Sequence, residues 1–371
     1  MKHKRGFSMV ELMVAITLAL LVTTAVLSVF VGSRTAYQST TGTSALSDGG
    51  RFALGYLQTA VRGSGYLACG PSTRVASMLN PGPTPLAYGF GASGYFQPLS
   101  GFEAANTGIG GTYTLGTSAG SPANWTPTLD SALPPASTTV GALVANSDIL
   151  VVRSSTINKA TAYVTAIAPS SSSFTINSLT TLTTVGQLGI ISDCSKSMLF
   201  QVSGIASAGT SAIITHAAGG SPGNTSSVFN ISGTSIDFPQ GAQVSPLDTV
   251  IYYIGTGSDG DNSLFSYELQ PNNTFVINEL VPDIEAMQIL YGWDSSGTLA
   301  VGEYITADQV PDFTTILSVK IALLAASPPG SAQRPAIAPA FSLLGTSVTA
   351  PRDTRKRQVF EITVGARNAL T

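Results

Sequence analysis

Hydrophobic and polar positions divide this chain near residue 32. From Leu12 to Val31 every position is uncharged and most are aliphatic. About 20 such residues, at a helical rise of 1.5 Å each, span about 30 Å, the hydrocarbon thickness of a bilayer. Lys2, Lys4 and Arg5 precede the run and Glu11 sits at its start; no further charge appears until Arg34. Beyond it, Leu46, Ala53, Leu57 and Val61 recur at helical spacing and form an apolar stripe. The pattern predicts one long helix, apolar all round at first and amphipathic afterwards. Gly49 and Gly50 interrupt it, each costing about 1 kcal/mol against alanine, so a kink or frayed turn is expected there. Gly63 and Gly65 supply the stop.

The next stretch, 71–147, is rich in Gly, Pro, Ser, Thr and Ala and reads as loop. Tyr88, Phe90, Tyr95, Phe96 and Phe102 make its first half a packed loop, while Gly110 to Thr139 reads either as a mobile stretch or as a surface insertion. From Asp148 onward short β-branched or alternating runs predict strands: 149–153, 162–167, 173–177, 197–202, 212–215 and 249–254. A turn through 257–262 leads into 264–269 and makes a hairpin. Glu279 to Trp293 fits strand or helix on pattern alone, and 315–325 and 358–364 are strands. No periodic repeat is present.

Composition narrows the setting. The chain has 371 residues, only 10% of them charged, and a mean hydropathy of +0.28. That balance, with abundant Gly, Ser and Thr, fits an extracytoplasmic body rich in strands and loops. The formal net charge is −3, which recommends neither nucleic acid nor an anionic membrane surface as partner.

A secretory signal peptide is the simplest reading of the N-terminus. Against it, the apolar run is long, lacks a small-x-small cleavage site, and carries Glu11 where a charge costs a few kcal/mol. A membrane anchor with its basic end in the cytoplasm fits better but leaves Glu11 unexplained. Gly6-Phe7-Ser8-Met9-Val10-Glu11-Leu12 resembles the class III leader of type IV prepilins. The resemblance implies cleavage by a prepilin peptidase between Gly6 and Phe7, N-methylation of Phe7, and a role for Glu11 in assembly. A carboxylate in an apolar setting is tolerable when it pairs with a cation such as the freed Phe7 ammonium of a neighbouring subunit. Loss of Lys2, Lys4 and Arg5 with the leader would make the mature chain three charges more negative. Many major pilins carry a proline in the membrane half of this helix; here none lies between Met1 and Gly70, which weighs against a bulk-subunit role.

Later blocks resemble minor pilins of the PilW type. Gly65-Tyr66 before Cys69, Ser192-Asp193-Cys194, Tyr252-Tyr253, Ser263-Leu264-Phe265, the run 281–292, the run 317–324, Arg357-Gln358-Val359-Phe360 and Arg367-Asn368 carry the likeness. It leaves roughly 71–147 and 203–245 unmatched. In an extracytoplasmic body, the only two cysteines, Cys69 and Cys194, are expected to form a disulfide. It would close a loop of about 125 residues, worth at most roughly 5 kcal/mol in the chain-entropy account; two separate buried thiols are the alternative.

Catalytic chemistry finds little to work with. His3 leaves with the leader, and His216, alone in a polar run, reads as a surface or hydrogen-bonded residue. No Cys-x-x-Cys or His-x-x-x-His pair offers a zinc site, and no nucleophile elbow or phosphate loop appears. Asp259, Asp261 and Asn262 fail the calcium-loop pattern, since Leu264 and Gln270 occupy its sixth and twelfth positions; a solvated turn is expected. The basic run Arg352, Arg355, Lys356, Arg357 reads as a solvated approach to an edge strand, with contact to an acidic partner or DNA as the alternative.

The expected architecture is α+β, a type IV pilin-like fold with a long N-terminal helix on a large, mostly antiparallel β domain. Its parts are a leader (1–6), a membrane and filament-core helix (7–31), an amphipathic continuation (32–65) and an extracytoplasmic domain (66–371). The resemblance implies a non-enzymatic minor pilin without cofactor or metal. It would reside in the inner membrane with its domain in the periplasm, then in the pilus at the cell surface. Its implied work is to prime pilus assembly in a minor-pilin complex, with a place at the fibre tip. Its implied partners are the prepilin peptidase, other minor pilins and pilus subunits, membrane lipid and a tip adhesin; nucleic acid is not expected. A J-type pseudopilin of type II secretion and a membrane-tethered binding module are the competing readings.

Overall fold

The computed structural model describes residues 8–67, 75–80, 96–129, 139–155, 161–220, 223–231, 234–272 and 274–366. One helix runs without interruption from Met9 to Gly63. The expected kink at Gly49-Gly50 is absent, and the reason is packing. A Cβ on Gly50 would lie 2.4 Å from the Phe360 ring, and one on Gly42 would lie 2.1 Å from Ser331 Oγ. These glycines let the domain approach the helix backbone, and the contacts offset their helix cost. The stop is as read. The Ser64 amide bonds back to Val61, and the Gly65 amide, at positive φ, bonds to the Arg153 carbonyl and pins the helix end to a strand.

Two sheets receive the helix. One is four-stranded among the described residues, ordered Glu303–Ile305, Ile284–Trp293, Ile316–Ala326, Arg357–Gly365. The other is larger and branched, and its spine is the long strand Gln243–Thr256. The second half of that strand pairs with Ile149–Ser155 on one side and Asn262–Leu269 on the other. Its first residues pair instead with Leu188–Ser192 and Ala162–Ile167. The change of partner falls between Pro246, opposite Gly189, and Leu247, opposite Ser155.

Leu46, Ala53, Leu57 and Val61 are buried, as the stripe predicts, against Leu150, Tyr252 and Ile254 of the large sheet and Ile289, Ile321 and Leu323 of the small one. Burying each large aliphatic side chain is worth about 1.5–3 kcal/mol, so this joint is a principal core and not a loose docking. The opposite face of the four-stranded sheet is covered as well, with Ala286, Ala322 and Leu324 packed on Leu343 and Val348. Cover on both faces explains why 279–293 shows no alternation in sequence. It forms two strands, Phe275–Val281 and Ile284–Trp293, and all but the last residue of the second is buried.

The loop reading of 71–147 is corrected for the described part of that span; Tyr88, Phe90 and Tyr95 lie outside the described residues. Leu99–Ala104 is a fully buried strand paired with Ile149–Ser155. Its sequence, LSGFEA, carries no β-branched residue and a glycine, so its strand signal is weak. Gly101 is there for space, because a Cβ would collide with the Tyr291 hydroxyl. Thr112–Thr114 joins Thr346–Thr349 in parallel, so this part of the expected insertion belongs to a sheet. Trp125 is buried, with its indole N–H donating to the Ser147 carbonyl.

A second lobe lies between residues 161 and 246, with its own core of Phe174, Phe200, Phe229, Phe238 and their neighbours. His216 belongs to that core, contrary to the surface reading. It is fully buried, its ring stacked 4.0 Å from Phe229. Neither ring nitrogen has a hydrogen-bond partner. Burial lowers its pKa from the usual 6.5 to about 4, so it is neutral and behaves as one more flat apolar ring.

Candidate functional site: the helix and its clasp

The helix begins with a capping box. Ser8 is the N-cap, and its hydroxyl accepts from the Val10 amide at 3.4 Å. Glu11 reaches back, its Oε2 accepting from the Ser8 amide at 3.0 Å. Two helix-end donors are thereby satisfied, and Glu11 places a negative charge at the positive end of the helix dipole. Gly6, Phe7 and Cys69 lie outside the described residues.

From Met9 to Val31 no described residue of the domain covers the helix. Its apolar side chains, among them Met9, Leu20, Leu21 and Phe30, are exposed. This is a helix long and apolar enough to cross a membrane, with none of its most apolar window buried in the protein. A bare apolar surface of that length in water is an association site by default.

The second half is held by a clasp built from the basic run. The sequence reading of Arg352, Arg355, Lys356 and Arg357 as a solvated approach is corrected for three of the four. Lys356 Nζ lies 2.8 Å from both Ser39 Oγ and Thr43 Oγ1 and 3.3 Å from the Ser39 carbonyl, so it bonds directly to the helix. Arg357, 2% exposed at its side chain, forks onto Glu285 (2.6 and 2.9 Å) and Asp353 (2.6 and 2.8 Å). Arg355 bridges Asp261 and Asp283, the latter at 2.8 Å. Paired guanidinium forks of this kind are far stronger than exposed ion pairs. They lock the start of the last strand to the hairpin turn at 257–262 and to the Val281–Ile284 corner, next to the helix.

The electrostatics follow from burial. Burial raises the Glu285 carboxyl above its usual range even though Arg357 and Arg355 pull it down. Asp353, hydrogen-bonded by Arg357 and less enclosed, is held below its usual range. The turn expected at Asp259 and Asp261 is present, but Asp261 is tied to Arg355 and is not merely solvated. Asp259, Asp261 and Asp283 bring three carboxylates within 4.8 Å of one another. Arg355 supplies the positive charge that a cation would otherwise provide.

Cys194 is disulfide-bonded and sits at positive φ in a turn. Asp193 ties that turn together by accepting from Ser195 and Lys196.

A second polar centre lies where the two sheets meet. Asp148, buried, accepts from the Ala104 amide (3.1 Å) and the Ile289 amide (2.8 Å), so one carboxyl group joins both sheets. Glu103 stands beside it, linked through the Thr107 hydroxyl. Burial, with help from Asp308 and against Thr107 and the Ala307 backbone, raises Glu103 from 4.5 to about 7. Burial first and Glu103 second push Asp148 well above its usual value. Sequence reading missed both, because a lone acid in a weak strand carries no signal of its surroundings.

This arrangement offers a covered helix half, an uncovered helix half and a charge at its tip, a set of features suited to holding and joining. Comparisons agree with that emphasis. Residues 251–368 match the family described as Type IV Pilus-assembly protein W, and residues 1–27 match the Prokaryotic N-terminal methylation motif. No curated protein and no solved structure matched the chain significantly.

Proposed function

Starting from the premise that this chain is a PilW-family type IV pilin, a minor pilin of a type IV pilus, we propose that it primes pilus assembly within an inner-membrane minor-pilin complex and travels to the fibre tip. The observation that carries this reading is the contrast along one helix. Met9 to Val31 is bare and apolar, while Leu46 to Val61 is sealed into the domain. A bare half must be covered by lipid before assembly and by other apolar helices afterwards.

On this reading the prepilin peptidase cuts between Gly6 and Phe7, and Phe7 is N-methylated. Glu11 then pairs with the Phe7 ammonium of a neighbour. The domain projects into the periplasm, and Cys69 is the partner of Cys194, bracing the second lobe against the chain beyond the helix. Other minor pilins and a tip adhesin bind the domain.

Two measurements on the detergent-solubilised full chain test this. N-terminal mass spectrometry should find a chain that begins with methylated Phe7. Affinity capture from membranes should recover other minor pilins. An N-terminus still at Met1, or capture of no pilus subunit, would falsify the proposal.

A further inference from the structure

A polar cavity of about 290 Å³ opens at the meeting of the two sheets, lined by Glu103, Ala104, Ala105, Ile109, Asp308 and their neighbours. Glu103 is 6% exposed; its Oε1 accepts from Thr107 at 3.2 Å, and among the described residues its Oε2 has no hydrogen-bond partner. An unsatisfied buried carboxyl oxygen is costly. Asp308 stands exposed at the mouth, and among the described residues neither it nor Glu103 has a basic ion-pair partner. The cavity therefore holds acid without counter-charge, in contrast to the clasp, where every buried acid has its arginine.

Its shape and lining select among cations. The space is far larger than a bare divalent ion bound at about 2.4 Å requires. Among the described residues, the acidic group compact enough to hold one ion lies elsewhere, at Asp259, Asp261 and Asp283. The walls also include the apolar side chains of Ala104, Ala105 and Ile109, the last largely exposed at the rim. Apolar side chains along one side of an otherwise polar, acidic pocket match an apolar stem that ends in an ammonium.

We propose that this cavity is a docking socket for a lysine side chain presented by another pilus subunit, with the ammonium between Glu103 and Asp308 and the stem along Ile109. The identity of the donor rests on the minor-pilin reading above; the cation chemistry does not.

The test uses the full chain in native membranes and fibres. A carbodiimide joins a carboxylate to an amine in ion-pair contact as an amide, and peptide mass spectrometry locates the link. The expected result is an amide from Glu103 or Asp308 to a lysine of a different subunit. Combining Glu103→Gln with Asp308→Asn removes both coupling carboxylates, so the loss of docking is read instead as an about tenfold drop in amine-to-amine links between the same subunits, as loss of one ion pair of about 1.4 kcal/mol gives. Thermal melting of the variant establishes that it is folded. An amine-to-amine cross-linker applied in parallel separates the two failures. Links between subunits there, with none at Glu103 or Asp308, overturn the socket alone; no links in either arm overturn the socket and the complex together. Stabilisation by calcium chloride that the Glu103→Gln variant loses, with no amide formed, also overturns the lysine assignment and makes the cavity a metal site.

Discussion

The ring of Phe360, in the last strand, occupies the space that a Cβ on Gly50 of the helix would need. The two residues are 310 positions apart in sequence, and their contact is what sets the separation of helix and sheet. Gly50→Ala should therefore be destabilising, because overpacking at about 1–3 kcal/mol exceeds the helix-propensity gain of about 1 kcal/mol. Gly55, whose Cβ would meet nothing within 4 Å, should show the reverse, with Gly55→Ala stabilising by roughly 0.5–1 kcal/mol. Melting temperatures of the two variants in detergent should move in opposite directions; equal shifts would remove the packing account of Gly50.

Glu11 has two candidate jobs that one pair of substitutions separates. Glu11→Ala removes both the charge and the reciprocal cap on the Ser8 amide. Glu11→Gln keeps an oxygen that can accept that bond and removes only the charge. If charge pairing with a neighbour is what assembly needs, both variants should insert in the membrane normally and both should lose surface pili. Full piliation by the glutamine variant would assign Glu11 to capping.

Arg357 is enclosed with Glu285, so removing one partner leaves the other stranded. Arg357→Met should cost about 3–5 kcal/mol. Adding Glu285→Gln should recover a large part of that loss, since the second change removes the unpaired buried charge, while Asp353 keeps access to water. Denaturant unfolding of wild type, the two singles and the double closes the cycle, and strictly additive losses would contradict the pairing.

His216 gives the fold an acid weakness. Its folded pKa of about 4 lies below the unfolded value near 6.5, so the folded state resists the charged form. Stability from this residue is complete above pH 6.5 and is lost as pH falls toward 4, by up to roughly 3 kcal/mol. His216→Leu, similar in volume, should change stability at pH 7 by less than about 1.5 kcal/mol and flatten the decline between pH 6.5 and 4. An unchanged acid limb would place the sensitivity elsewhere.

The sequence carried the fold wherever a residue's neighbours in the chain share its surroundings. The helix stripe, the strands from Asp148 onward and the hairpin at 257–262 all show this. It failed where a residue answers to something distant. Gly50 reads as a helix fault until Phe360 is seen beside it, and Gly101 as a loop signal until Tyr291 is. The basic run reads as solvated because its acids, Asp261, Asp283 and Glu285, sit about 70 to 95 positions away. His216 was misplaced because the aromatic rings around it come from three separate segments. At the site, Glu11 was visible as an anomaly in an apolar run, whereas Glu103 became visible only with the cavity beside it.

Ser155 and Leu247 are register partners on adjacent strands, so the segment between them begins and ends at neighbouring backbone positions. That segment, which carries the aromatic lobe around His216, is held a second time by Val75–Ser77, paired in parallel with Ser197–Leu199. Such a segment is topologically a graft. Its two ends are already as close as the ends of a tight turn, so a short linker would keep the path of the strands that hold the helix, while uncovering Leu67, Val75 and Phe96, which pack on Leu188, Ile190 and Leu199. The helix joint therefore does not depend on the lobe, whereas the 75–80 segment does: Val75–Ser77 has its strand partner there.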